Sequence, residues 1–392
     1  MTAVNITGLG VVSALGKGAQ HHSDQLRSGV VGIRQHQIDQ IVLYAGRVSY
    51  SNRQLSALCE VPFSEYISRT AWLGLLAAKE ALGNLASDSK IPAAFINGST
   101  VGGMDLSEQY FKAVSRGELG DTGLFQMHDL GANTDFIASN LVHFDYVNTL
   151  STACSSAANA IMQGAQLISS GEYHRVLVGG TDALCNFTIE GFKALMVYDP
   201  ELCQPFDINR RGLNLGEGAA YLLLESDKGM KESGNSCIAK LSGWANRNDA
   251  FHNTGTSPEG IGAQKAMRAA LEIARLSVAD IDYINAHGTG TPTNDSSELA
   301  AMESVFGGQL PDFSSTKGAT GHTLAASGAI EAVISISSIL ENCAFGTVGI
   351  SHPMTSSKAL LTRPKSKEIR HVMSNSFGFG GNSTSLIFSK NR

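Results

Sequence analysis

The sequence predicts an α/β protein built from two similar halves, and three observations carry that expectation. Short strand-like apolar runs alternate with helically spaced ones from end to end. The chain has 392 residues, more than one hydrophobic core usually serves. Two segments also recur in the same order. "FINGST" (95–100) resembles "YINAHGT" (283–289), and laying Thr152-Ala153-Cys154 on Thr320-Gly321-His322 brings Ala157 and Ala158 onto Ala325 and Ala326 at one constant offset. Small residues align easily by chance, so it is the shared order that counts.

In chain order, Val4–Thr7 reads as a buried strand, Arg69–Leu82 as a helix and Ala93–Asn97 as a second strand. The run "VNTLSTACSSAANA" passes from strand to helix at Cys154, and Arg175–Gly179 and Ala219–Leu224 are again sheet-like. Polar Gly229–Ser236 is the expected junction between an N-terminal domain, 1–230, and a C-terminal domain, 231–392. The order then repeats: strand Ile238–Leu241, helix Ala263–Ala274, strand Tyr283–Asn285, helix Thr320–Leu340 and sheet Val372–Phe388.

Composition narrows the function. A net charge of −6 with no long Lys/Arg block argues against a general nucleic-acid binder. Only 16% of residues are charged, and with 42 glycines this points to much buried surface and a large subunit interface. The apolar stretch Ala329–Leu340 carries Glu331 and reads as too short to span a membrane, and no signal peptide is expected at the start. Six scattered cysteines, without CxxC pairs or ligand-like spacing to histidine, are expected as free thiols in a reducing cytoplasm, and no metal site is expected.

Four constellations could carry chemistry. Cys154 sits at a strand–helix junction flanked by Ala153, Ser155 and Ser156, which leave room for a substrate. A buried cysteine is ordinarily a small hydrophobe; at a helix N-terminus the orphan N–H groups and the dipole favour its thiolate, which predicts a lowered pKa. In "NAHGTGTPTNDSSELAAM" (285–302), Asp295 and Glu298 are read as a capping box, whereas His287 has no structural excuse. Thr289 and Thr291 either offer hydroxyls to a polar ligand arm or support the turn. In "STKGATGHTLAASGAIE" (315–331), Lys317 and Glu331 are read either as solvated charges or as a pair holding the histidines. "SNSFGFGGNSTSLIF" (374–388) is either a tight turn or a mobile loop presenting a backbone N–H. It lacks the Gly-Lys-Ser/Thr of a phosphate loop, and "GLGVVSALG" lacks the third glycine of a dinucleotide fingerprint. One cysteine, two histidines and a lysine suggest acyl-thioester chemistry.

"TACSSA", "AHGTGTPTND", "TKGATGHTLAASGAIE" and "NSFGFGGNS", in this order and across nearly the whole chain, resemble the β-ketoacyl-acyl-carrier-protein synthases of the Cys-His-His elongating sort. The resemblance implies the thiolase fold, two duplicated α/β halves in five layers (α-β-α-β-α), and a dimer. It implies that Cys154 is the acylated nucleophile, that His287 and His322 serve decarboxylation and condensation, and that Lys317 and Glu331 support them. Thr289 and Thr291 would touch the phosphopantetheine arm, the N–H groups of Cys154 and Phe379 would form the oxyanion hole, Phe377 and Phe379 the gating loop, and Val101 would line or gate the acyl pocket. No cofactor would be held permanently; the phosphopantetheine arm of an acyl carrier protein would bring the substrate.

The chain departs from the family pattern in places. "FDYVN" stands where Gly-Pro is usual, Arg211 where Asp is common, Asn294 where Gly is common, and "GGNSTSL" replaces the frequent Gly-Gly-Thr-Asn. A thiolase would carry a second cysteine where "GFGFGG" stands; a starter-unit synthase would carry Asn for one histidine; a chain-length-factor-like subunit would lack the cysteine. The expectation is therefore a condensing enzyme of fatty acid, polyketide or polyene elongation. It would act as a homodimer or as the active partner of a chain-length-factor-like subunit.

Overall fold

The computed structural model describes residues 2–38, 41–83 and 91–391. The strands that place the site are β1 (Asn5–Ser13), β2 (Ala93–Gly98), β3 (Tyr146–Leu150), β4 (Arg175–Asp182) and β5 (Gly218–Glu225), then β6 (Ala239–Asn248), β7 (Tyr283–Asn285), β8 (Asp312–Ser314), β9 (His371–Gly378) and β10 (Asn382–Lys390). They lie in the order β8-β7-β9-β10-β6-β1-β5-β4-β2-β3. Counted inward from either edge, each half runs third, second, fourth, fifth, first. The pairing senses match as well: in both halves the second strand is parallel to the third and fourth, and the fifth is antiparallel to the fourth and first. The first strands meet antiparallel at the centre, Asn5 opposite Lys240 and Ile6 opposite Ala239. The duplication expected from two short matches is thus written in the strand order.

Helices α1 (Arg69–Leu82) and α2 (Leu130–Ser139) cover the outer face of the first half. Helices α4 (Ile261–Ala274) and α5 (Pro292–Phe306) cover that of the second. Between the sheets lie α3 (Ser156–Ser170) and α6 (Ser327–Glu341), which share one apolar core. This is the five-layered thiolase-like arrangement. The central helices are rich in Ala, Ser and Gly because sheets press on them from both sides. A Cβ on Gly328 of α6 would lie 2.8 Å from the Ala158 Cβ and 2.9 Å from the Ala158 N of α3, closer than packing allows.

Several boundaries differ from expectation. The expected junction 229–236 is largely helical, Asp227–Ser233, opened by the Ser226 side chain. Val372–Phe388 is an antiparallel hairpin, turned at Gly380 and Gly381 with φ +84° and +79°. The stretch read as too short for a membrane is a helical run of 18 residues, Leu324–Glu341, long and apolar enough by those measures; 89% of it is buried inside the molecule. Its hydrophobicity answers to two flanking sheets.

Candidate active site

Cys154 is presented by a strained turn. The chain leaves β3 at Leu150 and passes Ala153 with φ +54° before α3 begins, a conformation costly for any residue with a Cβ. Ser156 holds the turn, its Oγ accepting from the Thr152 N–H at 2.8 Å and donating to the Ala153 carbonyl at 2.6 Å. The cysteine is buried, and burial pushes its thiol up to about 11, with Lys317 opposing and the buried Asp182 adding to the rise. The backbone N–H groups of Cys154 and Phe379 lie against the sulfur and favour the thiolate, more weakly. The expectation of a thiol acidified by the helix terminus is therefore corrected: desolvation outweighs the N-terminal N–H groups, and the resting side chain is a neutral thiol.

The second half repeats this device after its own third strand. Gly321, aligned with Ala153, also has positive φ, +76°, and a helical run starts at Leu324, aligned with Ser156. His322 is buried here, and its Nδ1 accepts from the Leu324 N–H at 3.1 Å, with the Ser327 hydroxyl also at 3.1 Å. An Nδ1 that accepts leaves the ring hydrogen on Nε2. Burial, with Lys317 nearby, lowers its pKa well below the ordinary value.

His287 follows β7 in the loop that enters α5. Its Nδ1 lies 3.2 Å from Lys317 Nζ, which also donates to the His287 carbonyl at 2.7 Å and to Glu331. An ammonium offers only hydrogens, so His287 too carries its own on Nε2. Burial first, then Lys317 and His322, keep it neutral. The two imidazole centroids are 5.4 Å apart, the rings nearly perpendicular. Lys317 and Glu331 are both buried, so they are a pair beneath the histidines and not solvated charges.

Asp295 and Glu298 are not a capping box. Helix α5 starts earlier, with Thr291 as N-cap and Pro292 at its first position. Both carboxylates lie inside the helix and reach back over the loop. Asp295 accepts from the N–H groups of Thr289 at 2.9 Å and Phe206 at 2.8 Å; Glu298 accepts from those of His287 at 2.9 Å and Gly288 at 2.8 Å. Desolvation raises Glu298 to about 7 despite those bonds. Their role remains structural, in fixing the backbone that carries His287.

One cavity collects Cys154, His287, His322, Thr289, Thr291, Phe377 and Phe379. Thr289 and Thr291 are hydrogen-bonded to each other at 2.9 Å and line it. Val101 is not among the lining residues. It is buried in a neighbouring apolar cluster with Leu184, Ile189 and Leu213, of which Leu213 reaches the cavity. Sequence reasoning missed two participants. Phe192, on the helix Asn186–Ala194, stacks on Phe379 at 5.8 Å and lines the cavity; nothing in its local pattern marks it. Asp182 accepts from Ser99 Oγ, Thr100 Oγ1 and the N–H groups of Val101 and Ala325. It thereby ties the Val101 loop to the segment after His322. An Asp ending the wholly buried strand "RVLVGGTD" was its available signal.

Comparisons with known proteins point to one family. Residues 1–229 match the family model described as Beta-ketoacyl synthase, N-terminal domain, and residues 238–350 the one described as Beta-ketoacyl synthase, C-terminal domain. The chain is similar to 3-oxoacyl-[acyl-carrier-protein] synthase 2 of Rhizobium meliloti, 40% identical over 248 residues, 60% of this chain and 59% of that one. The same-named protein of Staphylococcus aureus is 35% identical over 249 residues, 61% of this chain and 60% of that one. The matches thus span about three fifths of the length of these relatives. Among solved structures, the ishigamide ketosynthase/chain length factor superposes with TM-score 0.92 at 28% identity, covering 100% of both chains. A ketosynthase in complex with its chain length factor from Xenorhabdus doucetiae gives 0.84 at 31% identity, covering 100% of this chain and 98% of that one.

Proposed function

The chain belongs to the beta-ketoacyl synthase family, and from that premise we propose that it is a 3-oxoacyl-[acyl-carrier-protein] synthase, an acyltransferase that extends a Cys154-bound acyl group with malonyl-carrier protein. The observation that carries this reading is the gathering of one thiol, two Nε2–H imidazoles and two backbone N–H groups around a single cavity.

In this reading the acyl carrier protein brings its phosphopantetheine arm past Thr289 and Thr291, and no cofactor is held permanently. Cys154 sulfur attacks the acyl thioester; the new C–S bond forms as the old one breaks, and the thiol hydrogen leaves with the carrier's sulfur. The tetrahedral oxyanion is held by the N–H groups of Cys154 and Phe379, and such donors contribute about 10²–10³ each in rate. Malonyl thioester then loses CO₂. The electron pair of the broken C–C bond becomes an enolate, whose oxygen takes hydrogen bonds from His287 and His322 Nε2–H. Its carbon attacks the acyl-cysteine, and the C–S bond to Cys154 breaks to leave a thiolate, which takes a proton from water and returns to the resting thiol. Two neutral imidazoles suit this step, since each must arrive with its hydrogen. Phe377 and Phe379 gate the entrance, and Val101 stands behind the acyl pocket in the apolar cluster that also holds the lining residue Leu213.

The assignment also includes a dimeric assembly in the cytoplasm and the two domains 1–230 and 231–392. We favour the role of active partner to a chain-length-factor-like subunit over a homodimer, because two of the similar structures are described as ketosynthases with a chain length factor. Purified protein given acyl- and malonyl-carrier protein should show an acyl group on Cys154 and a 3-ketoacyl product by mass spectrometry. Unacylated Cys154, with decarboxylation unchanged in Cys154→Ala, would end the condensing assignment. A homodimer fully active without any second subunit would end the heterodimer.

A further inference from the structure

The proposed oxyanion hole takes one N–H from each half: Cys154 lies at the start of α3 and Phe379 in the hairpin turn before β10. Something must hold these two backbones in register. Where the two turns meet at Gly378 there is no room for a side chain, since a Cβ there would sit 2.8 Å from the Thr152 carbonyl oxygen. Beside this contact stands Asn382, the first residue of β10 and one of the departures from the usual family pattern.

We infer that Asn382 is a positioning residue for acyl transfer, its Oδ1 locking the Cys154 turn to the Phe379 turn. Three donors reach that oxygen: Ser155 Oγ at 2.6 Å, whose one hydrogen is shared with the Thr152 carbonyl at 2.8 Å, Asn159 Nδ2 at 3.0 Å and Asn246 Nδ2 at 2.7 Å. Ser155 is the residue after the cysteine, Asn159 lies one turn further along α3, and Asn246 comes from β6 of the second half. The lock is braced around its rim. Asn246 Nδ2 also lies 3.0 Å from Asn159 Oδ1 and 2.8 Å from Thr384 Oγ1, its two hydrogens shared among three oxygens, and Thr384 donates to Asn159 Oδ1 at 2.8 Å. Ser155, Asn159 and Thr384 are buried, so water is poorly placed to substitute for a lost acceptor. Asn382 touches neither the thiol nor the histidines. Its effect reaches the chemistry only through where the two N–H groups stand, and a misplacement below an ångström matters at that step.

The inference rests on the condensing function proposed above, and one assay separates the two. Asn382→Leu keeps the branched shape and removes the acceptor; Asn382→Asp keeps an accepting oxygen. Acylation of Cys154 passes through an oxyanion, whereas alkylation by iodoacetamide does not. With N382L, acylation from acyl-carrier protein should fall about 30-fold or more at saturating carrier, KM changing less than about threefold, while the alkylation rate stays within about twofold. N382D should recover acylation to within about fivefold of wild type. If N382L does not fold, Asn246→Ala, which removes one donor, should show the same split at about threefold to tenfold. Acylation unaffected by these changes, or acylation and alkylation falling together, overturns the inference and leaves the function standing. A wild-type chain that is never acylated overturns both.

Discussion

Burial decides the protonation of every reactive group in this cavity. Cys154 is held as a thiol and His287 and His322 as neutral rings, because the sheets and central helices leave little water to solvate charge. A thiol raised to about 11 exposes a thiolate fraction that grows about tenfold per pH unit across the neutral range. Iodoacetamide alkylation of the free protein should therefore climb steadily from pH 7 to pH 9, without a plateau below about pH 10. A plateau under pH 8, followed by mass spectrometry of the Cys154 peptide, would contradict the dominance of desolvation. At this scale the sequence was informative where a residue type had no cheap alternative, as with His287 between a strand and a glycine-rich loop. Its one signal for Asp182 was an acid closing an apolar run, it was silent on Phe192, whose partner lies far off in the chain, and it misjudged Cys154 because a helix terminus is visible in a sequence whereas depth of burial is not.

At the scale of elements, the central helices are the most exacting part. Gly328 lets α6 cross α3 against Ala158, and Ser376 Oγ lies 2.8 Å from where its Cβ would be. Gly328→Val should destabilise by roughly 1–3 kcal/mol, as overpacking does, and should slow acylation as well, because α3 carries Cys154 at its start. Urea unfolding and the acylation rate measured together test this; an unchanged midpoint would mean that the crossing has slack. Helix α1 was legible to its ends, Arg69–Leu82, because apolar spacing marks it and Ser68 caps it. Helix α5 was misread at its start. Asp295 and Glu298 have capping-box spacing, yet Thr291 and Pro292 open the helix, and the carboxylates serve the loop before it. Spacing alone does not say whether an acidic side chain turns to its own helix end or away from it.

For the whole molecule, the repeated strand order and the matching turns at Ala153 and Gly321 explain why two short matches foretold the architecture. What they left unsaid is how completely the halves depend on each other. Helices α3 and α6 fill one core between the two sheets, and β1 pairs with β6 at the seam. Residues 231–392 expressed alone should lack near-ultraviolet circular dichroism and bind a hydrophobic dye, since one face of α6 would be left to water. A cooperative thermal transition from that fragment would show instead that each half folds by itself.

The seam has a further consequence for what such a fold can do chemically. Two separate copies of one half, related by a twofold axis, would be bound to place the same side chain at both turns: two thiols or two imidazoles, never one of each. Joining the copies in a single chain lifts that constraint while keeping its geometry. A thiol and an imidazole then line one cavity from equivalent turns, Cys154 after Ala153 and His322 after Gly321, matched in placement but free to differ in kind.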